Sequence, residues 1–287
     1  MTLYSLYKPN QKTNNIIYNS PHSGERFPNE FLAHTPIDKY TLLSSGDSFV
    51  DHLYENAVDH GSILLANDYA RSFMDTNRAA YELDRSMFSG DIPEQLLNHS
   101  HKVDLGYGSI AKYAYTRKDI YVTKIPFAEA EARIKEYYFP VHEALTALLS
   151  KDHDEYGYTV LIDCHSMPSY EFLNFKSAMS PQPDIVIGNL YGNSCAGELT
   201  DYIKNYFESA DLTVALNDPF AGGYNTDHYK DPARNKHTVQ IELKKSLYMD
   251  EVNRCKNGNF LKIKNILNTF TQNLNCDIQQ ILNIWLV

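Results

Sequence analysis

Short apolar runs rich in β-branched residues recur along this chain and alternate with segments of helical periodicity. The runs are at 15–19, 62–67, 158–165, 184–189, 212–216 and 237–243. Near-continuous apolar strands are typical of a sheet covered on both faces. Helical periodicity is found at 48–60, at 194–209 and at 128–151, where Pro140 is expected to kink the helix. The alternation predicts an α/β fold with a mixed central β-sheet flanked by helices on both faces.

The length of the chain, 287 residues, favours a single domain at 1–287. A C-terminal segment at about 258–285 is predicted as a packing helix whose apolar face includes Leu261, Ile263 and Leu267. Two segments, 84–108 and 217–236, lack regular periodicity. Because long irregular segments inside compact domains are usually functional, we predict that 217–236 is an active-site loop.

Charge and composition argue against several classes of protein. The formal net charge is -10, and there is no run of five Lys or Arg residues, so no nucleic-acid partner is expected. No stretch approaches 18 consecutive apolar residues and no signal peptide is recognisable, which predicts a cytoplasmic protein with no membrane partner. The four cysteines form no CxxC pair, so reduced thiols are expected. The oligomeric state is not predicted.

Two histidines and a glutamate are candidate ligands of a metal ion. His22 and Glu25 follow the first apolar run, and His165 ends the run at 158–165. Ligands in open α/β sheets collect at the carboxyl ends of strands, and two His with one Glu form a recurrent catalytic zinc set. The set predicts one Zn²⁺ per chain. The alternative is that each is an ordinary polar residue of a surface turn or a strand end.

Glu242 and a pair of arginines are the remaining candidates. In the run at 237–243, alternation puts Glu242 opposite an apolar face, where a carboxylate needs a partner: it is either a functional carboxylate or half of a buried salt bridge. Arg71 and Arg78 flank Asp75 and Asn77. A guanidinium suits a substrate carboxylate or an oxyanion, although a surface salt-bridge cluster is the alternative.

These motifs together resemble the N-formylglutamate amidohydrolase (deformylase) family, which is related to zinc carboxypeptidases and aspartoacylase. The matching stretches run in family order across about 16–250 and are SPHSGERFP, GDSFVD, DTNR, YYFPVHEAL, LIDCHSMP, DIVIGNLYGNSC, PFAGGYNTDHY and HTVQIEL. The resemblance implies a zinc carboxypeptidase-like fold. It also implies hydrolysis of the linear amide of an N-acyl amino acid, with N-formyl-L-glutamate, an intermediate of histidine degradation, as the leading small-molecule substrate.

The resemblance also implies a role for each candidate residue. Zinc would be held by His22, Glu25 and His165, with Glu242 as general base and acid and Arg71 at the oxyanion. Substrate binding would fall to Asn77 and Arg78 and to the loop residues Gly222, Gly223, Tyr224 and His228. Asp227 departs from the family pattern, which often has a basic residue there, so the glutamate preference is expected to be relaxed. Asp47 and Asp51 match family positions without an assignable role; for Asp47, helix capping is the simple alternative.

Two other functions are compatible with the sequence. One is a related metallohydrolase that acts on another N-acyl amino acid or on a peptide-like amide. The other is a catalytically silent module that binds carboxylates; the presence of Glu242 argues against it, because a sensor has no need of a base.

Overall fold

The computed structural model describes residues 2–114, 117–169 and 181–284. Its strands are β1 (Tyr4–Tyr7), β2 (Ile16–Ser20), β3 (Ile63–Asn67), β4 (Phe88–Ser89), β5 (Ile125–Pro126), β6 (Thr159–Met167), β7 (Ile185–Gly188), β8 (Val214–Leu216), β9 (Lys236–Lys244), β10 (Met249–Asp250) and β11 (Cys255–Lys256). Its α-helices are α1 (Asn29–His34), α2 (Lys39–Leu43), α3 (Val50–Tyr54), α4 (His101–Asp104), α5 (Phe127–Arg133), α6 (Phe139–Tyr156), α7 (Gly197–Ser209), α8 (Tyr224–His228) and α9 (Phe260–Ile281).

A seven-stranded sheet organises the described residues, in the order β1-β3-β2-β6-β9-β7-β8. Neighbouring strands are parallel in the pairs β2–β6, β6–β9 and β7–β8, and antiparallel in the pair β7–β9. The mixed sheet with flanking helices is therefore confirmed, and each of the six predicted runs forms a strand. The sequence analysis missed β1, a short edge strand that is only partly buried.

The apolar core lies on one face of the sheet. Strand residues such as Ile16, Val160 and Val239 pack there with Leu199 of α7 and Phe270 of α9. In α9 the predicted packing face is confirmed at Ile263 and Leu267, which are buried, but it is wrong at Leu261, which is 69% exposed. Phe260 takes the buried position at the start of the helix instead.

The predicted kink near Pro140 is a π-helical turn, Ile134–Tyr138, between α5 and α6. Proline has no backbone N–H, so it cannot donate the i→i−4 hydrogen bond to Glu136, and a wider turn accommodates the missing bond. The predicted helix at 48–60 is also irregular: α3 continues as a 3-10 helix, Glu55–His60, and ends at Gly61 with φ 86°. Only a left-handed backbone closes the helix in this way, and glycine adopts it without strain.

The chain forms two compact units. The loop unit consists of Met1–Ser5, Pro21–Gly46 and Ala66–Leu145, and the sheet unit of Leu6–Ser20, Asp47–Leu65 and Thr146–Val287. The prediction of a single domain at 1–287 stays a prediction. No helix in the described part of the chain combines the length and the apolar character that a membrane span needs.

Candidate active site

One face of the sheet carries a ladder of buried polar side chains. Asn19 of β2 pairs with Asp163 of β6, which pairs in turn with Gln240 of β9. Two residues further along, His165 pairs with Glu242. Because side chains alternate between the two faces of a strand, all five share one face. The other face of β9 contributes Val239, Ile241 and Leu243 to the apolar core, as the sequence predicted.

His165 is held between aspartates in the sheet unit. Its Nε2 lies 2.8 Å from Asp163 Oδ2, and its Nδ1 lies 3.2 Å from Asp47 Oδ2. Burial would lower the pKa of His165, but Asp163, with Asp47 and Glu242, raises it well above the ordinary value. An environment that stabilises a proton on this ring also stabilises a metal cation, because both carry positive charge.

Asp47 is one of the two residues, with Asp51, that match family positions but have no predicted role. The N-cap position of α3 is occupied by Phe49, two residues after Asp47, so helix capping by Asp47 stays an untested alternative. The carboxylate of Asp47 contacts His165 and lies 3.6 Å from Lys245 Nζ. It is 2% exposed, so it is a buried carboxylate held among charged groups.

Glu242 is buried on the polar face of β9, with 7% of its surface exposed. Gln240 Nε2 donates a hydrogen bond of 2.9 Å to its Oε1. In the sheet unit, the position beside it on β6 is that of His165. The carboxylate therefore lies at the same edge as the imidazole, where an accepted proton can be held out of bulk water.

The predicted active-site loop, 217–236, packs on this polar face. It is less irregular than predicted, because it contains α8 and a 3-10 turn at Pro232–Arg234. Asn225 of α8 donates to Asp163 Oδ1 over 3.4 Å. Gly222 has φ 135°, and a Cβ on Gly188 of β7 would lie 2.7 Å from the Gly222 nitrogen. The loop can therefore approach the strand closely only because both positions are glycine.

The remaining loop residues lie at or after the start of α8. Gly223 is its N-cap residue. The rings of Tyr224 and His228 are stacked with centroids 4.8 Å apart, and the Tyr224 hydroxyl lies 3.2 Å from His228 Nδ1. Asp227, the departure from the family pattern, forms an ion pair with Lys230. A basic group is thus present in this loop, three residues after the expected position.

In the loop unit, His22 is part of a buried charge network. Its Nε2 lies 2.7 Å from Asp75 Oδ1, and Arg71 Nη2 donates to Asp75 Oδ2 over 2.6 Å. Burial would raise the pKa of Asp75, but Arg71 and His22 hold it well below the usual range. Asp75 is only 3% exposed. The ion pair of Arg71 with Asp75 is therefore not part of a surface salt-bridge cluster, which was the alternative.

Asn77 and Arg78 continue the same segment. The backbone N–H of Asn77 donates to Asp75 Oδ1 over 2.8 Å. Arg78 donates from Nε to the Tyr107 carbonyl over 3.0 Å, and its own carbonyl accepts from the Tyr138 hydroxyl over 2.7 Å. These bonds fix the backbone that presents both side chains.

A buried His-Asp-His group can hold a metal ion: His22, Asp47 and His165 each offer a ligand atom, and these atoms lie within 4.8 Å of one another. Nε2 of each histidine contacts an aspartate, and Nδ1 of His165 faces Asp47, the third member of the group. Metal-bound histidines commonly donate their other ring N–H to a carboxylate. The donor set therefore fits a divalent ion such as zinc. Glu25, the third ligand predicted from the sequence, is exposed and is not part of this group.

The sequence profile of the N-formylglutamate amidohydrolase family matches residues 14–249. The chain belongs to this family. It is 26% identical over 239 residues to the N-formylglutamate deformylase of Pseudomonas putida, and 28% identical over 242 residues to that of Pseudomonas aeruginosa, with 82% of each chain covered in both comparisons.

Solved structures agree with this family assignment. The N-formylglutamate amidohydrolase from Ralstonia eutropha JMP134 superposes with a TM-score of 0.92 at 30% identity, covering 98% of this chain and 99% of that one. A second protein, Atu2144 from Agrobacterium tumefaciens, shares the fold with a TM-score of 0.69 at 15% identity over 97% of both chains. The polar ladder and the His-Asp-His group thus belong to a member of the N-formylglutamate amidohydrolase family.

Two site residues were missed by reasoning from the sequence. Asp163 stands two residues before His165 in the same strand and therefore shares its face, a signal that the period of the strand could have supplied. Asp47 lies 118 residues before His165, and no local pattern links the two. The one signal in the sequence was its match to a family position in the stretch GDSFVD.

Proposed function

We propose that this protein hydrolyses N-formyl-L-glutamate to formate and L-glutamate. The observation that carries the proposal is the pairing of His165 with Glu242 on neighbouring strands, both buried at one edge of the polar face. An imidazole ligand beside a carboxylate base is a common arrangement for hydrolysis of an amide. Family membership and the names of the relatives support the substrate. A cytoplasmic location is part of this proposal.

We infer that one zinc ion is bound through His22, Asp47 and His165. When bound, zinc supplies Lewis-acid chemistry, since it polarises a carbonyl oxygen and lowers the pKa of a water from about 15.7 to about 7. Asp163 and Asp75 contact Nε2 of the two imidazoles and would fix the tautomer and orientation of both rings. Glu25 stays the alternative third ligand, and comparison of Asp47 and Glu25 variants separates the two.

Glu242 is the proposed general base and acid. It takes a proton from the attacking water and delivers that proton to the nitrogen of the leaving glutamate. Gln240 orients the carboxylate through its hydrogen bond to Oε1. Such proton transfers typically contribute about 10²- to 10⁴-fold in rate.

The arginines and the glycine loop are proposed to bind and orient the substrate. Arg71 would stabilise the oxyanion, and Asn77 with Arg78 would hold a substrate carboxylate through charge-assisted hydrogen bonds. The loop residues Gly222, Gly223, Tyr224 and His228 would close over the ligand and exclude water. Asp227, which forms an ion pair with Lys230, stands where the family often has a basic residue. We therefore propose that the enzyme is less selective for the glutamate side chain of its substrate.

The experiment that tests the function is hydrolysis of formyl-, acetyl- and succinyl-glutamate and of their aspartate and glutamine counterparts, with and without added zinc. We expect formyl-glutamate to be the best substrate and a chelator to abolish its hydrolysis. Faster cleavage of another acyl group would support the related metallohydrolase. Saturable binding of glutamate with no hydrolysis of any substrate would support the silent carboxylate-binding module.

A further inference from the structure

A cavity opens in the loop unit and is built around a buried arginine. Its volume is about 440 Å³, which lies within the range of small-molecule pockets. The guanidinium of Arg133 is 5% exposed, and the rings of Phe31, Phe73 and Tyr121 lie 4.5–5.8 Å from it. The aromatic cage is therefore already filled by a cation of the chain itself, and it has no room for a cationic ligand.

The counterion of Arg133 is weakly held. Among the described residues its ion pair is with Glu129, four residues earlier on α5, whose side chain is 54% exposed. The other bonds of the guanidinium go to neutral oxygens, the carbonyl of Phe73 and the hydroxyl of Tyr121. An exposed ion pair contributes little to stability, so the carboxylate of a ligand can replace that of Glu129 at the cavity.

The cavity also offers a second donor for an anion. Burial raises the pKa of the Tyr121 hydroxyl, so the group keeps its proton at neutral pH. Because this oxygen accepts a bond from Arg133 Nη1 over 2.7 Å, its own hydrogen points away from the guanidinium. A carboxylate at Arg133 can accept from both groups, in the geometry that favours a guanidinium fork.

Charges of the opposite sign line the same cavity. Glu129 and Glu136, both exposed, flank Arg133 along the helix in a stripe of alternating sign. Lys124 also lines the cavity, so groups of both signs face a ligand there, and a zwitterion would satisfy both. The π-turn Ile134–Tyr138 forms part of the wall, and π-turns are frequent at functional sites.

We propose that this cavity binds a free α-amino acid with an apolar side chain. Its carboxylate pairs with Arg133 and Tyr121, and its ammonium group with Glu129, which is released from the arginine, and with Glu136. Its side chain lies against the aromatic wall that includes Phe73. Since Arg133 also donates to the Phe73 carbonyl, the ligand would contact the segment that carries Arg71 and Asp75.

The test is calorimetric titration of the zinc-loaded protein with L-phenylalanine, 3-phenylpropanoate and L-phenylalaninamide. We expect saturable binding of phenylalanine and binding at least about tenfold weaker for each analogue, because each lacks one charge-assisted contact. Binding should be unchanged when the hydrolytic site is saturated with glutarate, a dicarboxylate that lacks the ammonium group. No saturable binding, equal binding of 3-phenylpropanoate, or loss of binding in the presence of glutarate would overturn the proposal.

Two glutamate variants test whether phenylalanine binds in this cavity, and both keep the buried Arg133. Glu129→Gln should weaken phenylalanine binding by about fivefold or more, since it removes a partner of the ammonium group. Glu131→Gln, an exposed position on the same helix that does not line the cavity, should leave binding unchanged. Both should keep kcat/KM for hydrolysis within about twofold. Equal weakening by the two variants, or tighter binding in Glu129→Gln, would contradict the amino-acid assignment.

Discussion

Replacing Glu242 with glutamine removes the proposed proton acceptor while keeping the length and shape of the side chain. If Glu242 is the base, kcat for N-formylglutamate should fall by about 10²- to 10⁴-fold, which is about 3–5 kcal/mol of transition-state stabilisation. The zinc content should not change, because Glu242 is outside the His-Asp-His group. Substrate affinity should also be nearly unchanged.

The structure allows the effect of Glu242→Gln on stability to be estimated. Gln240 Nε2 donates a hydrogen bond to the carboxylate, and exchange of a charged for a neutral acceptor in that bond costs about 1 kcal/mol. For a protein of this size that corresponds to a decrease in Tm of about 2–4 °C. The removal of one negative charge near Asp47 and Asp163 partly offsets this cost in the metal-free protein.

The assay measures kcat, zinc content by elemental analysis and Tm on wild-type, Glu242→Gln and Gln240→Met. The last variant removes the same hydrogen bond but keeps the carboxylate, so its kcat should fall by less than about tenfold. An unchanged kcat with a lowered Tm in Glu242→Gln would refute the catalytic assignment and leave Glu242 a structural residue. Loss of zinc in that variant would instead make Glu242 a ligand.

The other predictions concern the metal, the pH and the substrate. Purified protein should carry about one divalent ion; Asp47→Ala should lose it and Glu25→Ala retain it, and the reverse result would restore Glu25 as third ligand. Burial lowers the pKa of His237 to about 4, and its Nδ1 accepts from the Ala196 N–H. Protonation therefore favours the unfolded chain, so stability should fall by about 3 kcal/mol as the pH drops from 6.5 to 4. Urea titrations of wild-type and His237→Asn should show a flatter profile for the variant, and parallel profiles would exclude His237 as the cause. Asp227 should make the side-chain preference permissive, so formyl-glutamine hydrolysed about 10²-fold or more slowly than formyl-glutamate would contradict that role.

The sequence by itself determined the strands and the faces they present. In the run at 237–243, alternation alone separated Val239 and Ile241 from Glu242, because the side-chain period of a strand is fixed by backbone geometry. The same local logic placed a helical irregularity at Pro140, since a missing N–H acts on its own turn. His22 and His165 were predicted as candidate metal ligands for a related reason: His22 follows β2 and His165 lies near the end of β6, and in a sheet with parallel strands such ends collect at one edge.

The tertiary structure decided which groups those residues contact. Asp47 belongs to the His-Asp-His group although it lies far from both histidines in sequence. The sequence predicted Glu25 as the third ligand instead, because it lies three residues after His22, but Glu25 is exposed. Asp75 appeared from the sequence to be one charge between two arginines, yet its other oxygen contacts His22. Arg133 gave no signal in the sequence, because its significance lies in burial among rings from distant segments. Local geometry fixes which face a side chain occupies, but the partner of a buried charge depends on long-range packing that brings separate segments within a few ångströms.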